Sequence, residues 1–279
     1  MDATRCSGWL VALIIAARVA ALAGAAGLAS ATEPAYTPMP YQPGKDVVWL
    51  PSNADLVDRM LDMVQLRPDD YLVDLGSGDG ITVIRAAQRG ARAHGIEYNP
   101  DLVALAKGNA RSAGVADRAT FVQGDIFKSD FSKATVVALF LTSELNLRLR
   151  PTLLAMKPGT RVVSNTFDML DWSPDVSHRR SADCDDFCTA YAWIVPAQVA
   201  GTWRLGDGNE LMLEQEFQEL QGKLRAPDGT SQSLRDAQMS GTKITFTVGG
   251  LRHDGELKDG VLEGVTASGQ PWRATRVRG

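Results

Sequence analysis

The sequence predicts an α/β fold, a mostly parallel sheet covered by helices on both faces, followed by a small antiparallel β module. Three observations carry this. Between residues 71 and 195, short apolar runs alternate with segments of helical periodicity. A glycine-rich stretch, Asp74-Leu75-Gly76-Ser77-Gly78-Asp79-Gly80, falls where the first strand passes into its helix, and ligands bind at such carboxyl-end junctions of open parallel sheets. Beyond Pro196 the helical period stops, and two-residue alternation with Asp-Gly pairs takes over.

The first thirty or so residues read as a targeting segment rather than as fold. Arg5 precedes an apolar stretch from Trp9 to Leu28, and Ala29-Ser30-Ala31 supplies small residues for cleavage, the layout of a secretory signal peptide spanning 1–31. An uncleaved membrane anchor is the alternative, although Arg18 near mid-bilayer is costly. A periplasmic or secreted location follows from the first reading, attachment to the inner membrane from the second. Pro34, Pro38, Pro40 and Pro43 then make residues 32–48 an extended linker.

The main domain is expected over residues 49–198. Ser52, with Asp55 three positions on, opens a helix carrying Leu56, Val57, Met60, Leu61 and Val64 on one face, ended by Pro68-Asp69-Asp70. Strands are expected at 71–75, 91–96, 119–123, 135–141, 160–165 and 190–195, with helices at 81–89, 100–113 and 144–156 between them. From 201 to 279 no helical pattern occurs. Leu211, Leu213 and Phe217, then Ile244, Phe246 and Val248, alternate with polar residues, and turns are expected at Asp228-Gly229, Asp254-Gly255 and Asp259-Gly260. This reads as a meander closing into a barrel or half-barrel. Gly201-Thr202-Trp203 is similar to the G-x-W opening of lipocalin-like barrels, with Trp272-Arg273 positioned to close one, although tryptophans packing a small β core explain the same residues.

A net charge of -4 and a pI near 5.5 argue against a general nucleic-acid binder. Outside the leader the cysteines are Cys184 and Cys188, four apart in a polar loop, spaced to form a small disulfide in an oxidising compartment; two free thiols remain the alternative. His178 is the sole histidine nearby, which disfavours zinc.

The glycines of residues 76–80 permit positive φ and close approach of a ligand to the main chain. Dinucleotide folds use a similar loop, but Ile81 stands where their fingerprint wants glycine, and Asp79 at the helix start opposes a pyrophosphate. An NAD-dependent oxidoreductase is therefore disfavoured. Glu97, at the end of the second strand, can accept both hydroxyls of a ribose. Asp125, in Gly124-Asp125-Ile126 after the third strand, can accept from an adenine amino group, or can be a solvated turn residue.

Together D-x-G-x-G-x-G at 74–80, the acidic end of the second strand, the Gly-Asp after the third and Lys157-Pro158-Gly159 before the fifth resemble the class I S-adenosylmethionine-dependent methyltransferases. The resemblance implies a Rossmann-like seven-stranded sheet with a reversed final hairpin. It also implies S-adenosyl-L-methionine as cofactor: Gly76, Gly78 and Gly80 around its methionine part, Asp74 toward its amino group, Glu97 at the ribose, Asp125 and Ile126 at the adenine, with Ser77 and Tyr98 also among the cofactor-binding residues. Trp49-Leu50-Pro51-Ser52, Gly95-Ile96-Glu97-Tyr98-Asn99-Pro100 and Asp171-Trp172-Ser173-Pro174-Asp175 resemble, more narrowly, the bacterial relatives of ATP synthase c-subunit lysine methyltransferases, implying a protein lysine as acceptor. Thr142-Ser143-Glu144-Leu145-Asn146 departs from the proline-containing loop of many relatives.

Methyl transfer needs a neutral nucleophile, and a lysine (ordinary pKa about 10.4) must first lose its proton. Glu144 is the carboxylate expected to receive it, or else merely a residue favoured by the helix dipole. Tyr41, Trp49 and Asn146 are candidates for the acceptor side. The competing reading is an exported or membrane-attached ligand-binding protein that keeps the cofactor fold.

Overall fold

The computed structural model describes residues 36–277 apart from 181–183 and 185; the expected signal peptide or anchor lies outside the described residues. Among the described residues no helix is long and apolar enough to cross a membrane.

The first half runs α1 (Ala54–Met63), β1 (Tyr71–Leu75), α2 (Ile81–Gln88), β2 (Arg92–Glu97), α3 (Pro100–Ser112), β3 (Ala119–Gln123), β4 (Val136–Leu139), α4 (Ser143–Leu154), β5 (Arg161–Asn165), β6 (Val176–Arg179) and β7 (Thr189–Ile194). The strands form one sheet in the order β3-β2-β1-β4-β5-β7-β6. β1 to β5 are parallel, whereas β7 runs antiparallel to β5 and β6 antiparallel to β7. The chain leaves β1 toward β2 and β3, then returns to start β4 on β1's other side, so the order reverses at β1. That reversal opens a crevice at the strands' carboxyl ends.

The apolar stripe of α1 packs with α2, α3 and the sheet in one core, while α4 and Trp172 and Trp193 pack the other face in a second. Asp70 anchors the base of the sheet. Its carboxylate takes Thr135 Oγ1 at 2.8 Å and pairs with Arg161, tying the foot of β1 to the starts of β4 and β5. Two sequence expectations change here. The cap of α1 is Asn53, whose side chain accepts from the N–H groups of Asp55 and Leu56, because Ser52 lies one residue too early. β6 is an addition to the expected strands: Val176-Ser177-His178-Arg179 is a mostly exposed edge strand with no apolar run to signal it.

The second half is all β: β8 (Gly201–Leu205), β9 (Glu210–Glu216), β10 (Glu219–Arg225), β11 (Ser231–Ser233), β12 (Arg235–Ser240), β13 (Lys243–Val248), β14 (Leu251–Lys258), β15 (Val261–Thr266) and β16 (Pro271–Arg276). Each pairs antiparallel with its neighbour in sequence, except that β11 pairs with β10 alone, β10 pairs with β12 past it, and β16 returns to β8. Closure leaves no free edge among the eight barrel strands, with β11 added outside the ring. Leu211, Leu213, Ile244, Phe246 and Val248 are buried inside, as their alternation predicts.

Three details of this module differ from expectation. Phe217 sits in the β9–β10 turn at φ +52 and stacks on Trp172 of the β5–β6 connection (5.9 Å), so it faces the junction rather than the barrel. Gln218 beside it accepts from Trp172 Nε1 at 2.9 Å. Asp254-Gly255 is not a turn but mid-strand in β14: a Cβ on Gly255 would lie 2.3 Å from the Trp272 ring, so glycine is there to admit the tryptophan. The strand that holds Trp272-Arg273, β16, does close the ring on the Gly201-Thr202-Trp203 strand, β8, but Trp272 itself is buried in the barrel and it is Arg276 whose guanidinium lies 4.5 Å from the Trp203 ring centre and donates to the Gln198 and Ala200 carbonyls. Asp228-Gly229 and Asp259-Gly260 do form turns; the latter, at φ +48 and +77, joins β14 to β15.

Candidate functional site

A cavity of about 310 Å³ lies along the carboxyl edge of β1, β2, β3 and β4, where the strand order reverses. Its floor is the loop after β1. Gly76, Gly78 and Gly80 stand at φ +83, +53 and +88, a region where a side chain is strained. At Gly78 space is closed as well: a Cβ would lie 2.6 Å from Trp49 Nε1, and at Gly80 one would lie 2.7 Å from the Phe121 ring. The loop is held down by Gly76 and Ser77 N–H groups donating to the Ile96 carbonyl at 2.8 and 3.2 Å.

Glu97, at the tip of β2, fixes this loop from the side. Its Oε2 accepts from the Gly78 N–H at 3.0 Å and its Oε1 from the Asn99 N–H at 2.9 Å. Each oxygen keeps lone-pair capacity toward the cavity. Asp74, at the end of β1, is buried and lines the same space. Burial foremost, then the charges of Glu97 and Asp79, push its carboxyl up to about 7, against a hydrogen bond from Thr82. Burial likewise raises Asp79, whose carboxylate accepts the Ile81 N–H at 3.3 Å.

Asp125 also lines the cavity but is engaged. Lys45 Nζ donates to its Oδ2 at 3.0 Å, the Phe127 N–H to its Oδ1 at 3.0 Å, and the Lys45 contact holds the carboxyl below its usual range. Lys45 lies 5.4 Å from the centre of the exposed Tyr98 ring. It comes from the segment expected to be an extended linker. Instead, Tyr41 N–H donates to the Trp49 carbonyl and Trp49 N–H to that of Gln42, and residues 41–50 form a strap along the cavity.

The structure gathers Asp74, Gly76, Ser77, Gly78, Glu97, Tyr98, Asp125 and Ile126 on this one cavity, with Tyr41 and Trp49 on the strap. Gly80 lies just beneath, as the start of α2. Ser77 Oγ is buried without a partner and faces Gly95, where a Cβ would lie 2.4 Å from it. Two expected residues lie elsewhere. Glu144 is exposed on the first turn of α4, the second residue after the Thr142 cap, and does not line the cavity. Asn146 is fully buried, donating from Nδ2 to the Phe167 and Asp168 carbonyls, so it braces the β5 exit rather than touching a substrate. The strap, Lys45 and three phenylalanines, Phe140, Phe167 and Phe187, join the site without a sequence motif to mark them.

The donor set fits a phosphate-free, cationic nucleoside. Asp74, Asp79, Glu97 and Asp125 supply carboxylates, glycine backbone supplies a floor without side chains, and the one cationic residue among those described along the lining, Lys45, is already paired.

Comparison with known proteins agrees with this geometry. The domain family described as ANTKMT methyltransferase domain matches residues 74–176. A protein-lysine N-methyltransferase of Saccharolobus islandicus (strain REY15A) is 40% identical over 131 residues, covering 46% of this chain and 81% of that protein. The chain belongs to the class I S-adenosylmethionine-dependent methyltransferases. It is an enzyme of that family, and S-adenosylmethionine is its methyl donor. A mouse (Mus musculus) ATP synthase c-subunit lysine N-methyltransferase is 33% identical over 151 residues, 54% of this chain; the matched part of the methyltransferase spans only 59% of that relative's length. A solved structure described as an RNA methyltransferase from Salinibacter ruber in complex with S-adenosyl-L-homocysteine is 47% identical, with a TM-score of 0.50, and covers 54% of this chain and 96% of that one. Cys184 and Cys188 are joined as a disulfide.

Proposed function

We propose that this methyltransferase modifies a protein lysine, binding its donor with the residues that line the β1–β2–β3 crevice. When bound, S-adenosylmethionine supplies an electrophilic methyl group on a sulfonium, open to displacement by a neutral amine. Asp74 takes the ammonium of the methionine part, Glu97 the ribose hydroxyls and Asp125 with Ile126 the adenine edge; Gly76 and Gly78 keep the floor clear for close approach. The observation that carries this reading is the run of carboxylates Asp74–Glu97–Asp125 on three adjacent strand ends, beside left-handed glycines.

Lysine as the acceptor is supported by relatives named for lysine methylation. The Salinibacter structure is described as an RNA methyltransferase, which makes RNA the second acceptor to test, but the net charge of -4 favours protein. Incubating the purified chain with methyl-labelled donor and, separately, a lysine-bearing protein extract or total RNA tests the choice. Label on lysine side chains by mass spectrometry supports the reading, and label confined to RNA refutes it.

We also propose that the chain works in an oxidising compartment. The bonded Cys184–Cys188 pair and the leader-like segment 1–31 support this. Mass spectrometry of the cellular protein should find a first residue near Thr32; a cytosolic protein with its initial segment intact refutes the placement.

A further inference from the structure

The cavity has two chemically distinct halves. Every charged residue among the described lining, Lys45, Asp46, Asp74, Asp79, Glu97 and Asp125, comes from the strap or from the strand ends of β1, β2 and β3. On the other side of the glycine loop, past β4 toward β5 and β7, the described lining residues are neutral. Phe140 follows β4 directly, Phe167 leaves β5 two residues after its end, and Phe187 precedes β7 by two residues. These three strands are adjacent, so residues far apart in sequence meet at one sheet edge.

The three rings touch each other. Their centres lie 6.3 Å apart for Phe140 and Phe167, 5.5 Å for Phe140 and Phe187, and 6.4 Å for Phe167 and Phe187. All three remain partly exposed at the cavity rather than joining the core, and Leu141, Thr142 and Leu145 continue the surface. The backbone is held in a sparsely populated region at two points of this wall: Thr166, next to Phe167, stands at φ +66 and Phe187 itself at φ +54. Such conformations persist only where surrounding structure enforces them. Phe187 also lies within the small loop closed by the Cys184–Cys188 bond, one residue before Cys188.

We propose that Phe140, Phe167 and Phe187 form the acceptor wall, which takes an unbranched alkyl-amine chain against its ring faces, with Phe187 set in place by the Cys184–Cys188 disulfide. The inference rests on the lysine reading above and gives it a site. Lysine suits this surface: four methylenes lie on the rings, and aromatic faces tolerate the cation while it is still protonated. Among the described residues lining this half there is no carboxylate, so an ammonium is less stabilised here than at the strand ends of β1 to β3, which favours the nucleophilic form. The amine gives up its proton to solvent before it meets the methyl group, so Glu144, which points outward, is not called on as base. Because Phe187 depends on a disulfide, acceptor binding becomes sensitive to reduction while donor binding does not.

The test uses the full chain loaded with S-adenosylhomocysteine and titrates N-acetyl-lysine methylamide by NMR, with saturation transfer from aromatic protons. The expected result is transfer to the lysine methylenes, and a Kd for the analogue about ten-fold weaker in Phe187→Ala and several-fold weaker in the Cys184→Ser/Cys188→Ser variant. Dithiothreitol should weaken the wild type to the level of that variant and leave the variant unchanged. Affinity for S-adenosylhomocysteine, measured by calorimetry, should stay within about two-fold throughout, which also shows that each variant is folded. If the wild type binds the lysine analogue and Phe187→Ala binds it equally well, the wall is refuted while the lysine reading stands. If Phe187→Ala loses S-adenosylhomocysteine in parallel, the rings belong to the donor half and the assignment is wrong. If the wild type binds no lysine analogue at all, the lysine reading fails and takes the wall with it.

Discussion

Donor binding should release a proton from Asp74, and the pH dependence of affinity measures it. Buried beside Glu97 and Asp79, this carboxyl is pushed up to about 7, so at lower pH the free protein holds it neutral. A neutral acid offers little to the ammonium group of the donor or of S-adenosylhomocysteine, whereas the ionised form pairs with it. Binding therefore selects the ionised form. With a free-state value near 7, that form rises from about 3% at pH 5.5 to about half at pH 7, so affinity should rise roughly 16-fold, or about 1.6 kcal/mol. Above about pH 7.5 the curve should flatten. The unfolded chain has already lost this proton above the ordinary carboxylate value of 3.8, so the group's contribution to the stability of the free protein is fully present below that value and is lost as pH rises through 7. Bound ligand opposes that loss. Calorimetric titration with S-adenosylhomocysteine in buffers of different ionisation enthalpy reads both the Kd and the proton count. Asp74→Asn should bind weakly with little pH dependence. A wild-type Kd that is flat between pH 5.5 and 7, or a steep dependence that survives in Asp74→Asn, refutes the reasoning.

Other expectations follow from the same contacts. Gly78→Ala places a methyl group against Trp49 Nε1 at φ +53 and should weaken S-adenosylhomocysteine at least ten-fold by calorimetry. Lys45→Met frees Asp125 from an exposed ion pair and should tighten the same ligand by about two- to five-fold, since such pairs are weak; weaker binding would make Lys45 a donor contact instead. Glu144→Gln should leave kcat within about three-fold of wild type, because the side chain points to solvent. Asp70→Ala removes the carboxylate partner of Arg161, which keeps only the Val64 and Gln65 carbonyls, and should cost about 3 kcal/mol in urea unfolding, with little change in Kd for S-adenosylhomocysteine.

The donor half of the site was legible because its chemistry is local in sequence. Seven consecutive residues, 74–80, form the loop, and Glu97 ends the next strand, so strand ends and glycines sufficed to place them. The acceptor half is assembled from positions 140, 167 and 187, each reading as an ordinary hydrophobic residue beside a strand. Nothing in their spacing announces that β4, β5 and an antiparallel β7 become neighbours. Prolines misled at the N-terminal side: they do stiffen the chain, but a stiff segment can fold back as a strap as well as extend, and Tyr41 and Trp49 close it through backbone hydrogen bonds. Gly95 carried a readable signal. A glycine inside a strand marks a close approach, here by Ser77, as Gly255 does for Trp272. The barrel was legible as alternation, and its closure only as the weak mark of a tryptophan at either end, Trp203 on β8 and Trp272 on β16, since the pairing of those strands is long-range.

A crystal structure of the full chain with S-adenosylhomocysteine bound measures the division of the cavity directly. The ribose should hydrogen-bond Glu97, the amino-acid ammonium should face Asp74, and the sulfur should point across the glycine loop toward Phe140. A nucleoside seated on the phenylalanines, or a ligand lodged away from Glu97 with the crevice filled by the strap, contradicts it.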